Sequence, residues 1–262
     1  ASLEGPLPRR GSTIRLELTD ESAIKELILR ERPSVVVHAG AVSSVVAAHT
    51  NPEHAHRVNA VVTGNLAALC AGAGARFLYV STDMVFDGES APYRETSTPA
   101  PLSEYGRSKR EGELLALAIE GSLVVRLPLL YGVPDVSRAS TFLDQVRALR
   151  EGRALKLFDD EWRTPLSLED AAASLVRAAK SELTGALHAG GPERLSRVEM
   201  GTLLAAALGI REPRIVAASR LAVAAPEPRA RDLGLDSTRF MDAFGVAPGR
   251  PMRDALAAMD RG

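Results

Sequence analysis

Short, almost wholly apolar runs alternate with stretches of helical periodicity, and this alternation constrains the fold more than any other feature. Val35–Val37 and Phe77–Val80 are apolar throughout, and Leu123–Leu127 departs from that only at Arg126. Runs of this kind predict strands covered on both faces, as in a parallel sheet. Thr13–Leu18 alternates polar with apolar residues and predicts a further strand. Between the strands lie predicted helices. Asp20 caps one whose Ile24, Leu27 and Ile28 share a face, and Pro33 stops it. Ala55–Ala71 forms another, stopped by Gly72 and Gly74, and Glu104–Glu120 a third. This order predicts an α/β fold built on a doubly wound parallel sheet.

After Tyr131 the pattern changes. Helices are predicted over Ser140–Glu151, Leu168–Lys180, Ser196–Leu208, Ser237–Phe244 and Met252–Met259, with Ser196 and Glu199 forming a capping box. Short strands are predicted at Leu155–Phe158 and Ala186–Ala189. Residues 1–132 are therefore expected to form one domain. Residues 133–262 are expected to form a smaller α+β lobe that also returns to the first domain. Composition excludes several function classes. Lys and Arg total 32 and Asp and Glu 33, a net charge of -1, so neither nucleic acid nor an anionic membrane is attracted in general. One cysteine, Cys70, excludes an intrachain disulfide and a cysteine-based metal cluster, and points to the reducing cytoplasm. No apolar run is long enough to span a membrane.

The chemistry-bearing signal is Tyr105-Gly106-Arg107-Ser108-Lys109 near a predicted helix start. Tyr and Lys four apart project from one helical face. Alone, the pattern is common on solvated helices; its context raises its weight. Upstream, a buried strand ends in Ser81-Thr82-Asp83, and the next ends in Arg126-Leu127-Pro128-Leu129. Earlier, a strand runs into His38-Ala39-Gly40-Ala41, a small-residue turn. Carboxyl ends of parallel strands are where ligands bind in such sheets.

From about Thr13 to Met259 the chain resembles the extended short-chain dehydrogenase/reductase family, and within it the dTDP-4-dehydrorhamnose reductase branch. The segments RLELTD, PSVVVHAGAVSS, FLYVSTDMVFDG, PYRETSTPAPLSEYGRSKREGE and VVRLPLLYG carry the resemblance. The regulatory β subunit of methionine adenosyltransferase is similar as well. The resemblance implies a Rossmann-like dinucleotide-binding domain, an NAD or NADP cofactor and a nucleotide-sugar substrate held partly by the C-terminal lobe. Tyr105 would be the proton donor, Thr82 the hydroxyl on the substrate carbonyl, and Lys109 the holder of the nicotinamide ribose. A cation at Lys109 would also favour the phenolate form of Tyr105. Ala39, Gly40 and Ala41 would run beside the cofactor, and Glu17 and Leu18 would contact its adenine. Asp83, Arg163 and Arg231 would meet the substrate. No metal is implied. A homodimer is compatible with the resemblance.

The chain also departs from the family pattern. A dinucleotide-binding domain needs a glycine-rich turn between its first strand and helix, and none precedes Val35 here. Gly72-Ala73-Gly74 follows a helix and reads as its stop. Thr13–Leu18 matches the family's third strand, so the native polypeptide is expected to carry a further N-terminal βαβ unit. Leu129 stands where the reductases have a sugar-packing tryptophan, and His38 where the family often has asparagine. Arg9 and Arg10 are candidates for contact with a 2′-phosphate. Asn59 is expected to bond backbone near the site. His49, His54 and His56 fit a solvated loop, Asp159–Glu161 a solvated turn, and Cys70 a helix core. Tyr131 and Phe142 fit either the cleft or the core. The expected activity is NAD(P)H-dependent reduction of a nucleotide-linked 4-keto sugar. The alternatives are a non-catalytic cofactor-binding regulatory subunit and a sugar-nucleotide epimerase or dehydratase.

Overall fold

A computed structural model describes residues 13–134 and 140–259. Four parallel strands form the central sheet, in the order β1 (Val35–His38), β2 (Arg76–Thr82), β3 (Leu123–Leu127) and β8 (Gly185–His188). Side chains of β2 alternate between two cores, as a pleated strand buried on both faces requires. Phe77 and Tyr79 join Val124 of β3 under α1 (Glu21–Glu31) and α4 (Val62–Gly72). Leu78 joins Leu123, Val125 and Leu127 on the other face, against α7 (Leu168–Ala179) and α9 (Thr238–Phe244).

The helices begin where short polar side chains can take the free N–H groups. Asp20 accepts from Ala23, Ser103 from Gly106 and Ser167 from Asp170. Between β1 and β2 lie α2 (Val45–Thr50), α3 (Pro52–His56) and α4, with a π-helical turn over Arg57–Val61 joining the last two. α5 (Glu104–Leu117) leads from the site into β3.

A second, smaller core lies beyond β3. Here α6 (Thr141–Arg150), α8 (Arg197–Ala207) and α10 (Met252–Met259) enclose Tyr131, Leu149, Met200, Leu204 and Leu256. Three two-stranded sheets flank it. β4 (Leu130–Tyr131) pairs with β7 (Leu166–Ser167), β5 (Leu155–Phe158) with β10 (Ile215–Ala218), and β6 (Trp162–Arg163) with β9 (Leu195–Ser196). The Ser196–Glu199 capping box is present.

Two expectations change. Thr13–Leu18 is not a strand: residues 13–17 have no regular structure, and the segment pairs with no strand among the described residues. Alternation sets which side chains face inward, but a strand also needs a neighbour for its backbone groups. Leu16 still packs on the core beside Val36. β1 accordingly forms the sheet edge. Its Val37 is 42% exposed instead of covered on both faces.

Candidate active site

Two glycines seat α5 against the carboxyl end of β2. A Cβ on Gly106 would stand 2.3 Å from the Met84 carbonyl oxygen, so only glycine lets the first turn of α5 lie on the Asp83–Val85 turn. A Cβ on Gly112 would stand 2.3 Å from the Asn59 carbonyl oxygen and 2.5 Å from the Tyr79 hydroxyl. With the helix so placed, Tyr105 and Lys109 face Thr82 and Asp83 across one cavity of about 670 Å³. Ala39, Ala41, Leu129, Glu161, Arg163 and the segment Ala225–Ala230 also line it.

Tyr105 is half-buried. Burial pushes its phenol up to about 12, the neighbouring Thr82 hydroxyl pulls the other way, and the Asp83 charge adds to the rise. Lys109 is itself almost wholly buried; its Nζ donates to the Val80 carbonyl at 2.7 Å and lies 4.0 Å from the centre of the Tyr79 ring. Burial brings its ammonium down to about 7, with Glu113 opposing. Glu113 in turn takes a bidentate pair from Arg126, both bonds at 2.8 Å, and Arg126 reaches His188 Nε2 at 3.1 Å. This buried network fixes α5 to β3 and β8.

Asn59, in the π-helical turn, ties the loop after β1 to α5. Its Oδ1 accepts from the Val42 N–H at 2.8 Å, and its Nδ2 donates to the Val42 carbonyl at 3.1 Å and to Ser108 Oγ at 3.0 Å. His38 is buried against the Phe77 and Tyr79 rings with Nε2 unpartnered. Burial, then the Lys109 charge, lowers it to about 4, so it is neutral at pH 7.

A charged corner closes the far side. Arg163 Nε lies 3.6 Å from Asp83 Oδ2, and its Nη2 lies 3.3 Å from Glu161. Arg197 Nε is 3.6 Å from the same Glu161 oxygen. Asp83, held by burial despite Arg163, is raised to about 6. Glu227 of the Ala225–Ala230 strap accepts from the Glu104 N–H, at the head of α5, at 2.7 Å.

The cavity thus unites Thr82, Asp83, Tyr105, Lys109, Arg163, Ala39 and Ala41. The other named residues lie elsewhere. Gly40 is packed under Leu18, whose Cδ1 is 2.5 Å from where a Cβ would stand. Leu18 is half-buried beside it, and Glu17 is exposed and bonded to Thr19. Arg231 is exposed and off the cavity, where Arg229 stands instead. Arg9 and Arg10 lie outside the described residues. Glu161, expected in a solvated turn, is 5% exposed. Tyr131 and Phe142 belong to the second core. Among the described residues no group of His, Cys, Asp and Glu is arranged to hold a metal ion, and no helix is long and apolar enough to cross a membrane.

The pattern of the RmlD substrate binding domain family matches residues 7–260. The chain belongs to this family. Among relatives, it is 34% identical to the methionine adenosyltransferase 2 subunit beta of Xenopus tropicalis, over 91% of this chain and 73% of that protein. It is 29% identical to a dTDP-4-keto-6-deoxy-D-glucose reductase of Streptomyces niveus, over 92% of this chain and 83% of the other. In fold it is similar to the dTDP-4-dehydrorhamnose reductase of Bacillus anthracis in complex with NADP, with a TM-score of 0.86 at 22% identity, over 94% of this chain and 86% of that one. The Rossmann-like sheet read from the sequence is therefore the family's fold. Glu161, Arg197, Glu227 and Arg229 were not singled out as site residues by sequence. Arg197 follows the Ser196 cap, the one local sign that it heads a helix pointing at the site.

Proposed function

We propose that this chain is an NAD(P)H-dependent reductase of a nucleotide-linked 4-keto sugar, as the S. niveus relative is named for such chemistry. The observation that carries the reading is the meeting of Thr82, Tyr105 and Lys109 on one cavity at the strand ends. Its volume, about 670 Å³, suits a ligand of cofactor and sugar size. The donor set fits the nicotinamide–ribose end of a dinucleotide. Lys109 is buried there with N–H donors beyond the one given to Val80, and Ala39 and Ala41 leave room for a close approach. When bound, the reduced nicotinamide supplies the hydride. Either NAD or NADP fits this end.

The chain's own residues do the rest. Lys109 Nζ holds the ribose hydroxyls. Thr82 and Tyr105 bracket the substrate carbonyl oxygen and polarise it. Tyr105 is protonated at neutral pH, as any phenol is, and burial pushes its value further up, to about 12. An alkoxide is a stronger base than a phenolate, so Tyr105 gives its proton to the oxygen as charge develops there. Asp83 and Arg163 orient the sugar and its phosphate side, and the lobe after residue 132 supplies Arg163 and the strap. Arg229, not Arg231, is the strap cation facing the ligand.

Purified protein with NADPH and dTDP-4-dehydrorhamnose tests this reading through loss of cofactor absorbance. Turnover is expected, and Tyr105→Phe should lower it by about 10²-fold or more while leaving cofactor affinity unchanged. An equally active Tyr105→Phe protein refutes the proton donor.

The higher identity to methionine adenosyltransferase 2 subunit beta favours a second reading, a non-catalytic regulatory subunit. No turnover of any keto sugar, together with co-purification of a methionine adenosyltransferase, would select it.

A further inference from the structure

The hydroxyl of Thr82 has one proton to give, and it is already committed. Oγ1 donates to Asp83 Oδ1 at 3.1 Å and accepts from the Met84 N–H at 3.2 Å. A threonine hydroxyl is a single donor with two lone pairs. While Asp83 is ionised, Thr82 cannot also donate to a substrate carbonyl oxygen. The second carboxylate oxygen, Asp83 Oδ2, is buried and accepts no hydrogen bond. Its nearest cation, Arg163 Nε, stands at 3.6 Å, beyond hydrogen-bond reach. Asp83 is 3% exposed and lines the cavity. A buried carboxylate oxygen without a donor is costly, and a ligand donor relieves that cost.

We propose that Asp83 makes the reaction selective for α-hydroxy ketones: a hydroxyl on the carbon beside the substrate carbonyl donates to Asp83 and frees the Thr82 hydroxyl to donate to the carbonyl oxygen. This rests on the reductase reading above and names the feature of the substrate that completes the site. No covalent bond changes in the exchange. The Thr82–Asp83 hydrogen bond is replaced by one from the substrate hydroxyl to Asp83 and one from Thr82 to the carbonyl. A ketone lacking the neighbouring hydroxyl leaves Thr82 turned toward Asp83, with a lone pair facing the carbonyl oxygen and Tyr105 as the donor that remains. Loss of one such donor typically lowers turnover by ~10²–10³-fold.

Protonation of Asp83 has the same effect as the substrate hydroxyl, because a neutral carboxyl no longer requires the Thr82 proton. The groups facing Asp83 are Arg163 of β6 and Arg197 of α8, which favour its charge, Glu161 before β6, which opposes it, and the neutral Tyr105 of α5. Burial outweighs the cations and brings the carboxyl to about 6. Turnover of a deoxy ketone should therefore rise as pH falls through 6, relative to that of the hydroxy ketone.

The experiment compares dTDP-4-dehydrorhamnose with its 3-deoxy analogue, for the wild-type protein and Asp83→Ala. Both kcat/KM and calorimetric binding of each ketone without cofactor are measured. The wild type should prefer the hydroxy ketone by about 10²-fold in kcat/KM, matching the loss of one oxyanion donor. It should also bind that ketone more tightly, and Asp83→Ala should bring both preferences close to one. Thermal unfolding confirms that the variant is folded. Equal use of both ketones by the wild type, or a preference that survives in Asp83→Ala, overturns the assignment. No turnover of either ketone overturns the reductase reading instead. The binding preference then decides whether Asp83 receives the ligand hydroxyl: an Asp83-dependent preference upholds that contact, and an unchanged preference or no binding overturns it.

Discussion

Gly112→Ala is the sharpest test of how α5 is seated. In an exposed helix, replacing glycine by alanine gains about 1 kcal/mol of helix propensity. At Gly112 the new methyl would stand 2.3 Å from the Asn59 carbonyl oxygen and 2.5 Å from the Tyr79 hydroxyl. Neither group can simply swing away. The Asn59 carbonyl belongs to the π-helical turn, and the Tyr79 hydroxyl donates to that same oxygen at 2.8 Å. Overpacking a core costs about 1–3 kcal/mol. Breaking the Tyr79–Asn59 bond and leaving both groups buried adds roughly 1–3 kcal/mol. Set against the propensity gain, the expected net loss is about 1–5 kcal/mol, a large share of a typical domain's ~5–15 kcal/mol. Gly72 is the internal control. It ends α4, and a Cβ there meets nothing within 4 Å. Gly72→Ala should be neutral or stabilising by up to about 1 kcal/mol. Urea unfolding followed by circular dichroism measures both. If the two variants shift the midpoint in the same direction by similar amounts, α5 does not lie as close to Asn59 and Tyr79 as argued. Because the Tyr79 ring also carries Lys109, Gly112→Ala should weaken cofactor binding as well.

Three other outcomes follow from the buried charges. Arg126→Met leaves Glu113 buried with Arg110 as its remaining ion-pair partner, and should cost about 3–5 kcal/mol in the same unfolding assay, as broken buried pairs do. Lys109 has a folded-state value near 7, below its ordinary 10.5, so the unfolded chain binds more protons between those pH values. Stability without cofactor should therefore rise with pH across that window, and Lys109→Met should flatten the slope; an unchanged slope refutes the burial argument. Cys70 is buried with its thiol pushed up to about 11, so iodoacetamide should label it only at the rate of unfolding, which mass spectrometry can follow.

Much of the fold was legible because its signals are local. Leu123–Leu127, Leu155–Phe158 and Met252–Met259 have the bounds read from their apolar patterns, and Ser196 and Glu199 form the expected box. Thr82, Tyr105 and Lys109 were legible as a set because Thr82 ends a strand and Tyr105 and Lys109 lie one turn apart at the start of one helix. What escaped depends on distant partners. The Thr13–Leu18 alternation shows a face and says nothing about a neighbour. Asp-Asp-Glu at 159–161 reads as a wet turn, yet Glu161 is buried because Arg163 and Arg197 converge on it. The Ala- and Pro-rich stretch around 225–230 carries no periodicity, so its position over the cavity was invisible. Arg229 and Arg231 differ by two positions, and only the local chain path decides which faces inward.

The bond from the Glu104 N–H to Glu227 has a kinetic consequence. It joins the segment that lines the cavity to the helix that carries Tyr105. Swinging the strap outward strips the head of α5 of a partner, and fraying of that first turn lets the strap go. Ligand entry and the alignment of Tyr105 then share one opening equilibrium. A variant that loosens the strap would admit ligand faster and hold Tyr105 less steadily, so speed of access and fixity of that side chain would trade against each other.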